Sequence, residues 1–282
     1  MGMAATTYRY RSQRTDEPLR TKLVELAREK PRFGYRRLHV LLGRNGEHLN
    51  HRRLHRIYRE AGLMIRRKKR KHCLREGKPL LARTAANQEW ARDFVHDAVA
   101  CGRTIRVSVV DAYTRECLAL EVDTSFASRR VTRVLDAIVT ERGQPLAIRC
   151  DNGPELTSRH FLAWCVDRKI ELLHIQPGKP TQNARVESFH GRLRDECLSV
   201  SWFQNLFDAR GKIASWKIEY NEERPHSSLG YQTPKEFAAA QAVGFYTAER
   251  GARDSNAVPC PSRSPIPAQT GDGAEQSCRI LT

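Results

Sequence analysis

The sequence predicts an α/β domain with a mixed sheet and flanking helices, preceded by a small all-α domain of the helix-turn-helix kind. Three observations support this fold class. The chain has 282 residues, which is enough for two domains of ordinary size. Three short helical patterns come first, and three strand-like segments follow, after which helix and strand patterns alternate. With 40% hydrophobic and 29% charged residues, the composition is that of a globular protein with a core.

The predicted N-terminal module consists of three short helices separated by turns. The spacing of the apolar residues predicts helices over 19–28, around 38–42 and over 51–60. Gly43 stops the second helix, and Asn50 can cap the third. A basic third helix fits a helix-turn-helix module, although a generic small helical bundle would show the same pattern.

The second part of the chain changes to strand periodicity from Trp90 onward. β-branched residues and turn signals predict the strands, and amphipathic spacing predicts the helices. Strands are expected over 92–99, 104–112, 117–122, 146–150 and 170–175. Helices are expected over 128–142, 157–169, 182–198, 203–220 and 233–242. The last segment is poor in large apolar residues and rich in Pro, Ser, Gly and Ala, so we expect it to be disordered.

Composition also excludes several classes of protein. No stretch approaches 18 consecutive apolar residues, so we expect no membrane span. The N-terminus lacks an apolar signal-peptide core, and we therefore expect a cytoplasmic protein with reduced thiols. None of the eight cysteines forms a C-x-x-C pair, so a zinc ribbon or redox motif is not indicated.

The positive charge is concentrated in the first third of the chain. Residues 1–84 contain 24 Lys and Arg against 7 Asp and Glu, a surplus of 17, whereas residues 85–282 contain 25 of each sign. Six consecutive cations occupy 66–71. Such a run is typical of a solvated linker, and it is also typical of segments that bind nucleic acid.

These patterns divide the chain into five predicted segments. They are an N-terminal arm (1–17), a helix-turn-helix-like DNA-binding module (18–66), a basic linker (67–84), an α/β core (85–245) and a disordered tail (246–282). We predict that DNA phosphates are contacted by basic side chains of the module, the linker and the core: Arg36, Arg37, Arg52, Arg53, Arg66, Arg67, Lys68, Lys69, Arg70 and Lys179.

Three carboxylates stand where chemistry at a sheet edge would need them. Asp93 lies in the first predicted strand, Asp151 follows a later strand at a turn, and Glu187 lies on a helix. Hard divalent cations such as Mg²⁺ require oxygen ligands. From the residues alone, each acid would more often be an ordinary surface carboxylate, and the spacing does not prove a site.

Sequence motifs provide a stronger indication. The segments WARDFV (90–95), DNGPE (151–155) and QNARVESF (182–189) resemble the D, D-35-E pattern of retroviral-integrase-like transposases. With VVDAYTREC (109–117) and YNEERPHSSLGY (220–231), they resemble the OrfB product of bacterial insertion sequences of family three. FGYRR (33–37) and REAGL (59–63) resemble the helical module that precedes the core in that family.

The resemblance implies a ribonuclease H-like fold in which Asp93, Asp151 and Glu187 bind two Mg²⁺ or Mn²⁺ ions. It makes Arg194 a DNA-phosphate contact, although a solvated helix charge explains that residue equally well. Asp111 does not match a catalytic position. His190 stands where relatives commonly carry Asn, which leaves the three acids unaffected.

We therefore expect a DNA transposase that cleaves the ends of an insertion sequence and joins them to target DNA. Its partners would be both DNAs, an OrfA protein or fusion, and further copies of the chain assembled on DNA at the bacterial nucleoid. One alternative is a nuclease of the same fold. Another is a decayed relative that binds DNA without cleaving it.

Overall fold

The computed structural model describes residues 16–65, 83–100, 102, 104–176 and 183–242, with the backbone alone for 104–107. All of these residues lie in one compact unit. The cationic run at 66–71 and the predicted tail lie outside the described residues. In the described ranges, no helix is both long and apolar enough to cross a membrane.

The N-terminal module contains three helices: α1 (Glu17–Glu29), α2 (Tyr35–Arg44) and α3 (His51–Glu60). The Asn50 side chain accepts a hydrogen bond of 2.8 Å from the Arg52 amide and caps α3, as its polar side chain predicted. Buried leucines from all three helices, including Leu23, Leu38 and Leu54, form one small core. The spacing of these leucines therefore predicted the module correctly.

The second part of the chain is built on a five-stranded mixed sheet. Its strands are β1 (Glu89–Ala98), β2 (Thr104–Asp111), β3 (Cys117–Ala119), β4 (Ala147–Cys150) and β5 (Glu171–His174). The spatial order is β3-β2-β1-β4-β5. The first three strands pair antiparallel, whereas β4 pairs parallel to both β1 and β5. The mixed sheet is thus confirmed, although β3 ends three residues earlier than the predicted strand over 117–122.

Helices cover the sheet and supply two hydrophobic cores. They are α4 (Ser128–Arg142), α5 (Arg159–Asp167), α6 (Ala184–Leu193) and α7 (Leu206–Glu222), with a short 3₁₀ turn at Ser227–Leu229 and a final helix, α8, over 234–242. Residues of α4 and α5 pack with Trp90 and Ile148 in one core, and residues of α6 and α7 pack with Val95 and Val110 in the other. A central β1 with helices on both sides accounts for the burial of its first four residues, Glu89 to Arg92, and of Val95.

One predicted helix contains an irregularity. Helical spacing predicted a single helix over 182–198, but α6 ends at Leu193 and continues as a π-helical segment, Arg194–Leu198. π-Helical turns within helices are uncommon and often lie at functional sites. Hydrophobic spacing alone cannot distinguish them, because Cys197 and Leu198 remain buried either way.

Candidate active site

A β-bulge positions Asp93 on the central strand. The pairing of β1 with β2 changes register between Arg92 and Val95, so that two residues of β1 oppose Ser108 alone. Ser108 has a positive φ of 142°, and its hydroxyl donates a short hydrogen bond to the Asp93 carbonyl. Bulges of this kind reorient a side chain and are common next to active sites. The bulge therefore presents the Asp93 carboxylate away from the regular ladder.

The parallel pairing of β1 with β4 places Asp151 beside Asp93. Ala91 pairs with Arg149, and the same register two residues later aligns the two aspartates. One carboxylate oxygen of Asp151, Oδ1, is buried and has no hydrogen-bond partner. At Gly153, a Cβ atom would lie 3.2 Å from Glu155 Oε2 and 3.5 Å from Asp151 Oδ1. The glycine thus keeps the space between these two carboxylates open.

Glu187 completes the acidic group from the first turn of α6. Its side chain is exposed, as an acid that meets a large substrate must be. Burial, together with repulsion from the carboxylates of Asp151 and Glu187, raises the pKa of Asp93 to about 6. The fold therefore places Asp151 and Glu187 within electrostatic reach of Asp93, although the three acids are far apart in sequence.

These carboxylates fit a divalent cation by their chemistry. Within the residues that the structure describes, no three Asp, Glu, His or Cys side chains are close enough together to form a ready-made metal centre. Asp151 nevertheless has a buried oxygen without a partner, and the raised pKa of Asp93 means that its charged form is destabilised. Both carboxylates therefore offer hard oxygen donors that a bound cation would stabilise. Asp93, Asp151 and Glu187 are the residues that would hold it.

Several polar residues around Asp93 were missed by the sequence reasoning. The Asn183 amide donates to Asp93 Oδ2 at 3.3 Å, and its own oxygen is buried without a partner. His190 Nδ1 lies 3.7 Å from Asp93 Oδ2, while its Nε2 bonds Ser108 Oγ at 3.0 Å. Burial, together with Arg194, lowers the pKa of His190 to about 4, so the ring is neutral at neutral pH. Two features of the sequence relate to these residues: Asn183 lies within the motif over 182–189, and Ser108 interrupts an otherwise apolar part of β2.

Arg92 lies beside Phe94, which packs against the core that α4 and α5 supply. It is buried, with its guanidinium 4.4 Å from the Phe94 ring. Burial lowers its pKa to about 10, and the nearby Asp151 partly opposes that shift. A charged guanidinium therefore balances part of the negative charge at the acidic group.

Asp111 has a different role, in agreement with its exclusion from the catalytic set. It is 2% exposed and accepts hydrogen bonds from the backbone amides of Asn87, Tyr113 and Thr114 at 2.7–3.0 Å. Its carboxylate is therefore fully used in holding the turn between β2 and β3.

The predicted DNA contacts lie in several settings. Arg36, Arg52 and Arg194 are exposed, whereas Arg53 donates to Asp16 Oδ1 at 2.8 Å. Arg37 points to the catalytic part of the chain, where its Nε donates to the Pro225 carbonyl. The other predicted contacts lie outside the described residues: Arg66, Arg67, Lys68, Lys69, Arg70 and Lys179.

Comparisons with known proteins agree with this architecture. Two models described as Integrase core domain match residues 83–180 and 168–234, and one described as HTH-like domain matches residues 14–71. The chain is 49% identical over 226 residues to an uncharacterized 31.7 kDa protein of insertion element IS407 from Burkholderia multivorans, covering 79% of this chain and 82% of that protein. It is 28% identical over 252 residues to the transposase InsD of insertion element IS2 from Escherichia coli, with 82% of each chain covered.

A solved structure shares the fold at low sequence identity. It is a simian T-cell lymphotropic virus intasome in complex with the PP2A regulatory subunit B56 gamma. The match has a TM-score of 0.50 and 16% identity, and covers 88% of this chain and 80% of that one. At this level the likeness concerns the fold alone.

Proposed function

Because the chain belongs to the OrfB-type transposases of insertion sequence family three, which are polynucleotidyl transferases with an integrase core, we propose that it cleaves and joins DNA by metal-dependent phosphoryl transfer. The observation that carries this proposal is that Asp151 and Glu187 lie within electrostatic reach of Asp93, and that Asp151 keeps a buried oxygen without a partner.

The proposed reaction has two steps, a hydrolysis that leaves a 5′-phosphate on the flanking DNA and a transesterification. A water molecule attacks the phosphodiester at the end of the insertion sequence and releases a 3′-hydroxyl. That hydroxyl then attacks a phosphodiester of the target, forming the new bond and releasing a target 3′-hydroxyl. No covalent bond between protein and DNA is needed.

The residues of the chain have separate parts in this chemistry. Two bound Mg²⁺ or Mn²⁺ ions would supply charge stabilisation at the attacking and leaving oxygens. Asp93 is oriented by the bulge and by Asn183, while Asp151 projects from the end of β4. Glu187, on the exposed turn of α6, approaches from the side that DNA can reach. Arg92 limits the repulsion among the acids while no cation is bound.

We also propose that the exposed cations Arg36, Arg52 and Arg194 contact DNA phosphates, with the cationic run 66–71 as a further contact. The HTH-like module supports DNA binding in general. An OrfA partner, a homo-oligomer on DNA and work at the nucleoid follow from the family resemblance and belong to the same proposal.

Replacing Asp151 with Asn tests the catalytic part of the proposal. We expect at least a ~10³-fold loss of strand cleavage, equivalent to about 4 kcal/mol of transition-state stabilisation. The assay uses a labelled duplex that carries the element's terminal DNA, in Mg²⁺ or Mn²⁺, and follows both cleaved and joined products.

Binding of the same duplex by D151N is the control, and it should match the wild-type chain across a salt titration. Retained cleavage by D151N would exclude the acidic group as the active site. Cleavage without joined product in the wild-type chain would indicate a nuclease rather than a transposase.

A further inference from the structure

A buried charged cluster joins the N-terminal module to the catalytic part of the chain. It consists of Phe33 and Arg37 from the module, Glu196 from the π-helical segment, and Arg224 from the segment after α7, and we call it the clasp. Its members lie on three separate stretches of chain, so its position could not be found from local sequence patterns.

Arg224 is the centre of the clasp. Its side chain is 2% exposed, and its Nε and Nη2 atoms each donate to one oxygen of Glu196 at 2.7 Å. Its guanidinium also lies 5.8 Å from the Phe33 ring centroid, which belongs to the module. Two parallel hydrogen bonds make this pair both strong and directional.

Arg37 extends the clasp from the module side. Its Nε donates to the Pro225 carbonyl at 3.2 Å, and its Nη1 lies 3.9 Å from Glu196 Oε1. Burial, together with the adjacent Arg224, lowers the pKa of Arg37 to about 10. Its position at this internal contact therefore differs from that of its neighbour Arg36, which is exposed.

Two further ion pairs, which are less buried than Arg224, flank the clasp. Lys30, after α1, lies 2.8 Å from Glu219 of α7, and Arg44 of α2 lies 2.7 Å from Glu236 of α8. Module and catalytic part therefore contact each other through the clasp and on both sides of it.

The clasp connects directly to a candidate catalytic residue. Glu196 lies in the π-helical segment that continues α6, and α6 carries Glu187 in its first turn. Glu187 and Glu196 therefore lie on one continuous helical stretch, 184–198. The π-helical geometry places Glu196 where Arg224 and Arg37 can both reach it.

We propose that Phe33, Arg37, Glu196 and Arg224 are positioning residues that set the helix carrying Glu187 according to the placement of the DNA-binding module. The inference rests on the proposed function of the acidic group and deepens it, because DNA held by the module would then align the catalytic helix. In this interpretation Arg37 acts within the protein and does not contact phosphate.

The test uses full-length variants and a labelled duplex of the element's terminal DNA. Arg37→Met removes the module's charge from the clasp and leaves the Glu196–Arg224 pair intact. Lys30→Glu and Glu219→Lys each break the pair between these two residues, and K30E/E219K restores it with opposite polarity; Lys30 also lies 3.8 Å from Glu223, which all three variants keep. Lys22→Glu is the matched control, because it makes the same charge change in α1 but breaks a pair with Glu47 inside the module.

Two properties are measured for each variant: the single-turnover cleavage rate at saturating DNA, and the Kd for DNA across a salt titration. We expect R37M, K30E and E219K to cleave on the order of tenfold more slowly, within the range by which mutations alter coupling between sites. K22E should cleave at the wild-type rate with the same Kd as K30E, and K30E/E219K should recover the wild-type rate.

A zero-length carbodiimide cross-link supplies a readout that is independent of activity. Lys30 should join Glu219 in the wild-type chain, K30E should lose the product, and the double variant should regain it. Thermal unfolding of every variant identifies any that fails to fold. If R37M does not fold, the comparison of K30E and E219K with K30E/E219K still tests the proposal.

The proposal is overturned if the cross-link behaves as expected but the rates do not change. It is also overturned if R37M weakens DNA binding and reduces the salt dependence while its rate at saturation is normal, because Arg37 would then be a phosphate contact. An inactive wild-type chain would overturn the proposed function and this inference together, whereas an active one with unaffected variants overturns only the inference.

Discussion

Carboxylates occupy two very different environments in this protein. Away from the candidate active site, buried acids are matched by cations or by backbone amides. Glu89 accepts from Arg149 and Arg83 at 2.9 Å, and Glu196 receives two bonds from Arg224. At the candidate active site, by contrast, Asp151 has a buried oxygen without a partner and Asp93 has a raised pKa.

The difference shows which acids serve the fold and which are held for a ligand. Burying a charge without a partner is costly, so an unpaired buried carboxylate lowers the stability of the folded state. Asp151 keeps one buried oxygen without a partner, whereas the carboxylates of Glu89 and Glu196 are paired with arginines. An unpaired oxygen at Asp151 and a raised pKa at Asp93, rather than burial alone, therefore distinguish these two acids from those that serve the fold.

The largest expected contrast compares Glu196→Gln with Glu187→Gln. E196Q leaves Arg224 buried and unpaired, and it should lower the free energy of unfolding by about 3–5 kcal/mol. E187Q changes an exposed side chain and should stay within about 0.5 kcal/mol of the wild-type value. Urea unfolding measures both. Equal effects would remove the distinction between an acid that is paired inside the fold and an exposed acid of the candidate active site.

A second contrast comes from the pH dependence of Asp93→Asn, measured in chelator. The pKa of Asp93 is raised from 3.8 to about 6 in the folded state, so the charged form opposes folding above pH 6. As pH falls from 6 to 4, the folded state takes up a proton before the unfolded state does, and the wild-type chain gains stability relative to D93N.

D93N should therefore be more stable than the wild-type chain by about 1–2 kcal/mol at pH 7, with the advantage gone below about pH 4. Chemical unfolding across this pH range provides the measurement. A wild-type advantage at pH 7 would mean that Asp93 has a stabilising partner, as the acids elsewhere in the fold do.

The smallest contrast compares Asp111→Asn with Asp151→Asn. D111N loses the acceptor for one backbone amide, because a single carbonyl oxygen replaces two carboxylate oxygens, and should cost about 1 kcal/mol. D151N gives up no hydrogen bond at Oδ1 and should be neutral or stabilising. Thermal unfolding in chelator compares the two variants. A larger loss of stability for D151N would mean that the Asp151 carboxylate has a stabilising partner even without a cation, which would contradict our proposal.

The sequence predicted the helices better than it predicted their irregularities. Leucine spacing located α1, α2 and α3 within a few residues, and the motif around Glu187 located α6. The π-helical segment and the bulge at Asp93 escaped prediction, because neither changes which residues are buried. Both irregularities lie beside residues that we assign to function.

The residues of the candidate active site also differ in whether the sequence indicated them. The motifs identified Asp93, Asp151 and Glu187, whose catalytic role stays a prediction until variants are measured. They did not indicate the neighbours Ser108 and His190, because a serine in a strand and a helical histidine carry no distinctive pattern. The predicted segment boundaries and the contacts in the linker also remain predictions.

By itself, the sequence determined the separate elements, the mixed α/β class and the identity of the acids, because helical spacing, strand alternation and motif residues act over a few neighbouring positions. Only the tertiary structure decided the strand order, the unpaired state of Asp151 and the environment of Arg37. The reason is that these depend on packing between distant segments. Arg37 meets the Pro225 carbonyl across 188 positions of the chain, and no local pattern records which partner a charged side chain will find there.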